Sequence, residues 1–174
     1  MNDIEKKCQP IRAILSDVDG VLTEGSLFFI PSGEEIKCFN IRDELGIRLW
    51  QKAGHQFGLI SGRSSHLVQF HADDLGLAFV RQGVRDKRKM LEKIMESASL
   101  TPEEVCFIGD DFPDLSAMKR AGIGATVADA PEEIRKEADW ISTKQGGKGA
   151  VRELIEMILK AQNCWNTVIQ NYLY

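Results

Sequence analysis

Cysteine is sparse and scattered in this chain of 174 residues: Cys8, Cys38, Cys106 and Cys164 form no Cys-x-x-Cys pair. That spacing carries neither a disulfide framework nor a zinc site, and reduced thiols in the cytoplasm are the natural reading. Histidine is scarcer still, and His55, His66 and His71 make no ligand pair at helical spacing. No apolar run approaches the roughly 20 residues that span a bilayer, and Met1 to Lys7 contains no apolar stretch of the signal-peptide type. A formal net charge of −4 gives no general attraction to nucleic acid or to an anionic membrane. Any anion must be held by a local cluster of donors or by a metal. Repeats, low-complexity segments and interdomain linkers are missing as well, so the length is read as one domain with a substantial core.

What is present is alternation. Short apolar runs at 11–16, 56–60, 77–80, 105–109, 123–127 and 139–142 predict strands, separated by segments of helical period near 43–53, 64–75, 86–98, 112–121 and 131–137. A long helix is expected from about 149 to 172. Gly54, Gly76 and Gly122 stand where helices should end. The order predicts an α/β, Rossmann-like three-layer sandwich with a mostly parallel central sheet, which binds its ligands beyond the carboxyl ends of the strands. One stretch departs from the alternation: 26–30, Pro31-Ser32-Gly33-Glu34 and 35–40 read as a β-hairpin. Its first arm is apolar on both faces, so both should be covered. It is either an edge hairpin folded on its own sheet or a flap over the site, packed against another subunit.

The hairpin springs from Asp17-Val18-Asp19-Gly20-Val21-Leu22-Thr23. Residues two apart in an extended segment project to the same side, and two carboxylates so placed raise each other's pKa unless a cation or proton lies between them. Such a pair asks for a divalent metal, a shared proton or both, although Asp and Gly also build plain turns. An EF-hand is not the answer, because apolar Val21, Leu22, Phe28 and Phe29 follow where oxygen ligands are needed.

Three further elements fall at the same end of the expected sheet. Ser61-Gly62-Arg63 follows a strand, where backbone N–H groups and a hydroxyl can hold a phosphate; Ser61 alone could be a helix cap. Lys87 opens a helix and alone could be a solvated lysine. Gly109-Asp110-Asp111-Phe112-Pro113-Asp114 ends another strand and alone could be a turn. Together, in this order, they are far more specific than any one of them.

The set Asp-x-Asp-Gly-x-Leu-Thr, Ser, Lys and Gly-Asp-Asp-x-x-Asp over residues 14–114 resembles the haloacid dehalogenase superfamily of phosphotransferases. The resemblance implies that Asp17 is a nucleophile that becomes an aspartyl-phosphate. It makes Asp19 the acid that protonates the leaving group and the base that activates water. It implies that Ser61, Gly62 and Lys87 bind the phosphoryl group. Mg2+ would be held by Asp17, the backbone carbonyl of Asp19 and Asp110, with Asp111 and Asp114 in support. The physics agrees: a cation offsets repulsion between carboxylate and phosphate, and covalent catalysis divides a hard hydrolysis into two steps.

Between Asp17 and Ser61 there is room for the hairpin and one helix, and between Lys87 and Asp110 for one helix and a strand, so no separate cap domain is expected. The chain is similar to a capless branch of the superfamily through Phe39-Asn40-Ile41-Arg42-Asp43, Gln82-Gly83, Val127-Ala128-Asp129-Ala130, residues 146–153 and Ala161-Gln162. That branch implies a cytoplasmic homotetramer that dephosphorylates an eight-carbon sugar-acid phosphate of lipopolysaccharide assembly. A nine-carbon sialic-acid-type phosphate is the alternative substrate, and a catalytically idle scaffold the alternative class. Lys148 stands where the branch suggests Arg, and Glu44-Leu45 where it suggests Gly-Tyr. Gly146-Gly147-Lys148-Gly149 reads either as a flexible helix lead-in or as a mobile segment that brings Lys148 to an anionic substrate. Arg63 is the second candidate for the substrate's carboxylate. The far end of the last helix, Trp165 to Tyr174, and the hairpin 26–39 are expected to pack on neighbouring subunits.

Overall fold

The computed structural model describes residues 3–173, so Met1, Asn2 and Tyr174, the end of the expected tail, lie outside the described residues. The main sheet has six strands in the order β5-β4-β1-β6-β7-β8. These are β1 (Ala13–Ser16), β4 (Gln56–Ile60), β5 (Phe79–Arg81), β6 (Val105–Gly109), β7 (Ile123–Thr126) and β8 (Trp140–Ile141). Every pairing in it is parallel, with Ala13 opposite Gln56 on one side and Val105 on the other. Residues of β1, β6 and β7 are buried throughout, as continuous apolar runs covered on both faces must be. The chain leaves β1 toward β4 on one side and later returns to β6 on the other. The strand order therefore reverses at β1, the place where open α/β sheets bind ligands.

Helices flank the sheet. α2 (Ile41–Lys52) packs with α7 (Ala150–Ala161), and α4 (Lys87–Ala98) with α5 (Phe112–Met118). α3 (His66–Asp74) and α6 (Glu132–Glu137) complete the crossovers, and a short α1 (Asp3–Cys8), absent from the sequence reading, rests on α7. Among the described residues no helix is long and apolar enough to cross a membrane.

Two of the three glycine caps hold. Gly54 (φ +88°) and Gly76 (φ +60°) end α2 and α3 in the left-handed conformation that glycine adopts without a Cβ penalty. Gly122 does something else: α5 has already ended at Met118. The Gly122 N–H donates to the Pro102 carbonyl at 2.7 Å, and a Cβ there would meet Glu103 Cα at 2.7 Å. It is needed for close approach, not for a cap.

The long terminal helix is broken. α7 stops at Ala161, Asn163 turns to φ +60°, and a separate α8 covers Trp165–Ile169. Asn163 N–H bonds to Lys160 O at 3.1 Å and Cys164 N–H to Leu159 O at 2.9 Å, the Schellman pattern with Asn in glycine's place. Gln162 anchors the turn, donating to the carbonyls of Cys8 at 2.9 Å and Ile11 at 2.8 Å. The tail also finds more cover in its own chain than its length suggested: Val168 is buried, and Lys52 Nζ donates to its carbonyl at 3.0 Å. Tyr172 and Leu173 remain exposed.

The hairpin stands apart from the main sheet as a two-stranded unit, β2 (Phe28–Phe29) against β3 (Glu35–Ile36). Within this chain its apolar arm is uncovered, with Phe28 57% and Phe29 59% exposed, against the expectation that both faces would be covered.

Candidate active site

All but one of the expected site residues meet in a single cavity of about 180 Å³ at the carboxyl end of the sheet. β1 delivers Asp17, and the turn after it is tight, with the Val18 carbonyl accepting from the N–H groups of Val21, Leu22 and Thr23. β4 delivers Ser61 and Gly62; the Ser61 hydroxyl accepts from Arg63 N–H at 3.3 Å. Lys87 is the first residue of α4, behind an Asp86 cap that accepts from Lys89 N–H. Asp110 and Asp111 follow directly on β6, and Asp111 caps α5 by accepting from Phe112 N–H at 2.8 Å.

The charges interlock. Buried Lys87 lies 2.9 Å from Asp17 Oδ1 and also pairs with Asp114 Oδ1. The other oxygen of Asp114 accepts from the N–H groups of Asp110 at 3.1 Å and Asp111 at 3.3 Å. Asp17, Asp110 and Asp114 each offer an oxygen within 4.8 Å of the others. Both oxygens of Asp114 are already committed, however, so it serves as a brace, and Asp17 and Asp110 are the carboxylates with capacity for a cation. Among the described residues Asp110 Oδ1 has no hydrogen-bond partner although it is buried, an arrangement that costs about 1–3 kcal/mol when nothing compensates it. An oxygen-lined site with an orphaned carboxylate oxygen fits a hard divalent cation such as Mg2+.

Proton affinities report the same crowding. Burial, then Asp17, Asp114 and Asp111, push Asp110 up to about 8. Burial and Asp114 push Asp17 up to about 6 against the opposing pull of Lys87. Burial alone would lower Lys87, but Asp17 and Asp114 outweigh it and raise it.

Gly20 fits no other residue. Its φ is +94°, and a Cβ would lie 2.1 Å from Asp110 Oδ2. Gly20→Ala is therefore expected to displace Asp110, cut activity by roughly the 100-fold that a 1 Å misplacement can cost, and destabilise the fold by about 1–3 kcal/mol. Paired kinetics and thermal melts check this; wild-type values in both would contradict it.

Lys148 is the residue that falls elsewhere. It is half exposed and pairs with Glu24 at 2.6 Å. It lines a separate groove of about 430 Å³ with Arg42, Lys144 and Arg152. The glycines before it are neither a loose lead-in nor a free segment: Gly146 and Gly147 are buried. The Gly147 N–H bonds to Val21 O at 2.8 Å, and a Cβ on Gly146 would meet Gly20 O at 1.8 Å. The loop is thus seated on the aspartate turn. α7 beyond it is capped by buried Asp43, which accepts from Gly149 N–H at 3.2 Å and Arg152 N–H at 2.7 Å.

Sequence reasoning missed two residues of the hairpin. Lys37, whose side chain is only 3% exposed, pairs with Asp19 Oδ1 and lies 3.2 Å from Glu35 Oε1. Arg63 lies 3.1 Å from the same Glu35 oxygen and 3.7 Å from Asp19 Oδ2. Burial works to raise Glu35, but Lys37 and Arg63 hold it below the usual carboxylate range. The available signal was the charged i, i+2 pair Glu35 and Lys37, which must project to one side of an extended arm.

A carboxylate at the end of the central parallel strand, a buried lysine beside it, a hydroxyl turn on the next strand and an acidic pair on the other side define a phosphoryl-transfer hydrolase built on aspartate. The chain belongs to the haloacid dehalogenase-like hydrolases, whose family model matches residues 78–155. Over 159 residues it is 39% identical to the 3-deoxy-D-manno-octulosonate 8-phosphate phosphatase of Haemophilus influenzae, covering 91% of this chain and 88% of that one. With the Escherichia coli phosphatase of the same name it shares 36% identity over 92% of this chain and 85% of the relative. The solved phosphatase of that name from Moraxella catarrhalis, in complex with magnesium ion, phosphate ion and KDO, superposes with a TM-score of 0.96 at 38% identity, over 99% of each chain. A cobalt-bound form of the H. influenzae enzyme superposes with a TM-score of 0.92 at 38% identity, over 97% of this chain and 99% of the other.

Proposed function

We propose that this chain is a Mg2+-dependent phosphomonoesterase that releases phosphate from 3-deoxy-D-manno-octulosonate 8-phosphate in lipopolysaccharide sugar biosynthesis. The observation that carries the reading is the meeting of Asp17, Asp19, Ser61, Lys87 and Asp110 in one cavity. The likeness to relatives of that name supports the substrate.

Asp17 attacks phosphorus, the ester P–O bond breaks, and the departing alkoxide takes a proton from Asp19. Water then gives a proton to Asp19 and attacks phosphorus, the P–O bond to Asp17 breaks, and phosphate leaves. One group thus serves as acid and then as base. Lys87 holds Asp17 and offers its ammonium to the phosphoryl oxygens, which Ser61 and Gly62 also receive. Mg2+, held by Asp17, the Asp19 carbonyl and Asp110, supplies charge neutralisation between nucleophile and ester. Asp111 and Asp114 hold the α5 end of the site in place. For the substrate carboxylate we favour Arg63, which lines the cavity, over Lys148, which does not. Phosphate release with Mg2+ from the eight-carbon and nine-carbon sugar-acid phosphates tests the reading. Faster turnover of the eight-carbon ester is expected, and no release from either would overturn it.

We further read the chain as one capless domain, with the hairpin 26–39 in place of a cap, acting as a cytoplasmic homotetramer. Free, exposed Cys38 suits a reducing compartment. The exposed Leu27, Phe28, Phe29 and Ile36 of the hairpin suit burial against another copy. Phe28→Ser with Phe29→Ser is expected to shift the protein to smaller species by light scattering, with its thermal melt little changed at low concentration. An unaltered mass would remove the hairpin from the interface.

A further inference from the structure

We infer that Lys37, carried by the hairpin, is a positioning residue for Asp19 and that Glu35 holds it in place. The inference rests on the proposed acid and base role of Asp19 and deepens it. Asp19, Lys37, Glu35 and Arg63 close a ring of alternating charge. Two of its members come from the hairpin, one from the turn after β1 and one from the turn after β4. Its formal charge is balanced, two cations against two anions. Lys37 is its best-buried side chain, at 3% exposed, against 12% for Glu35, 18% for Asp19 and 47% for Arg63.

A lysine is seldom buried that deeply unless it is paired, and here both of its partners are carboxylates. Its contact is on Asp19 Oδ1, while among the described residues Oδ2 has only Arg63 Nε at 3.7 Å, too long for a hydrogen bond. One oxygen is therefore pinned and the other is left to carry the proton to the ester oxygen and to take one from water. A carboxylate on a two-torsion side chain needs such an anchor, because catalytic groups must be held to within about half an ångström of productive geometry. The second consequence is that the hairpin's place is tied to the acid and base: moving β3 moves Lys37, and with it Asp19.

The test uses the full chain with Mg2+ and two esters. One is p-nitrophenyl phosphate, whose leaving group needs no proton; the other is an alkyl sugar phosphate, whose leaving group does. Lys37→Met is expected to lower kcat on the sugar phosphate at least about 10-fold, part of the contribution general acid–base catalysis makes, with KM within about twofold. On p-nitrophenyl phosphate only the water step should suffer, so Lys37→Met should give a burst of nitrophenolate followed by slow turnover. A role confined to holding the fold would not produce that split. Lys37→Arg should restore part of kcat. Glu35→Gln, which loosens Lys37 without removing it, should show the same pattern more weakly and keeps the question open to test should Lys37→Met fail to fold. Wild-type kcat in Lys37→Met, a loss confined to KM, or absence of the burst in both variants would overturn the inference. Asp17→Asn run alongside separates the two levels: turnover there would sink the aspartyl reading, whereas a dead Asp17→Asn beside a normal Lys37→Met would sink only the role of Lys37.

Discussion

Asp17→Asn will leave a folded protein that does not turn over. In the proposed mechanism the substitution removes the attacking oxygen and offers no replacement, since an amide is a far poorer nucleophile toward phosphorus. Neighbouring carboxylates cannot take over. Asp114 is committed to Lys87 and to two backbone N–H groups, and Asp110 sits on a different strand end with a buried oxygen. The loss should exceed the 10²–10⁴-fold, roughly, that proton transfer alone contributes, so activity above a few per cent of wild type would end the covalent assignment. Folding should survive: Asp17 is a carboxylate pushed up to about 6 by burial and by Asp114, so a neutral amide removes a repulsion along with the Lys87 contact. Circular dichroism and a thermal melt, read beside phosphate release, separate loss of chemistry from loss of fold.

Chelation should silence the enzyme by at least about 100-fold, on the scale of the several kcal/mol that a Lewis-acidic cation supplies, and added Mg2+ should restore it. Full activity in rigorously metal-free buffer would refute this. The same carboxylates give a stability signature with a definite sign. In the metal-free protein Asp110 holds its proton up to about 8 and Asp17 up to about 6, whereas both release it near 3.8 when unfolded. Between those values the unfolded state binds fewer protons, so stability falls as pH rises. Both groups contribute from about 4 to 6 and Asp110 alone from about 6 to 8, each by at most about 1.4 kcal/mol per pH unit. Mg2+ competes with those protons, so the rise in melting temperature that it produces should grow between pH 6 and 8. A rise that did not change with pH across that window would mean that Asp110 is not where the cation binds.

Much of this was legible before any coordinates, for identifiable reasons. The strands of the sheet are continuous apolar runs because both faces are covered, and the helices between them carry a stripe that any periodicity count finds. Gly54 and Gly76 announced helix ends because their backbone must turn left-handed there. Gly122 misled because a glycine kept for close approach to Pro102 and Glu103 looks identical in sequence to a cap. Asn163 hid the opposite way: it takes the left-handed position without being glycine, so the pattern ran on through the break. The aspartates, Ser61 and Lys87 were found because strand ends and helix starts put them at one edge of the sheet. Lys37 and Glu35 were not, because the hairpin is no part of that sheet and its apolar first arm dominated the reading. Lys148 was drawn toward the substrate by the resemblance and by the glycines around it; in this chain it pairs with Glu24 outside the cavity, and Gly146 and Gly147 are tightly packed contacts.

The strand order also sets a timetable for biosynthesis. β1 leaves the ribosome early, yet it is the middle of the sheet, and both strands it bonds to, β4 and β6, are made later. Sheets assembled from such distant segments close slowly, and until β6 arrives one edge of β1 stays bare, the kind of apolar template that aggregates. The Gly147 bond to Val21 comes later still, from the far end of the chain. The turn that carries Asp17 and Asp19 therefore gains its full packing only when almost all of the chain has been translated. A nascent chain arrested before Gly146 leaves the ribosome exit tunnel would carry every aspartate of the proposed mechanism and still lack the loop seated on the turn that follows Asp17.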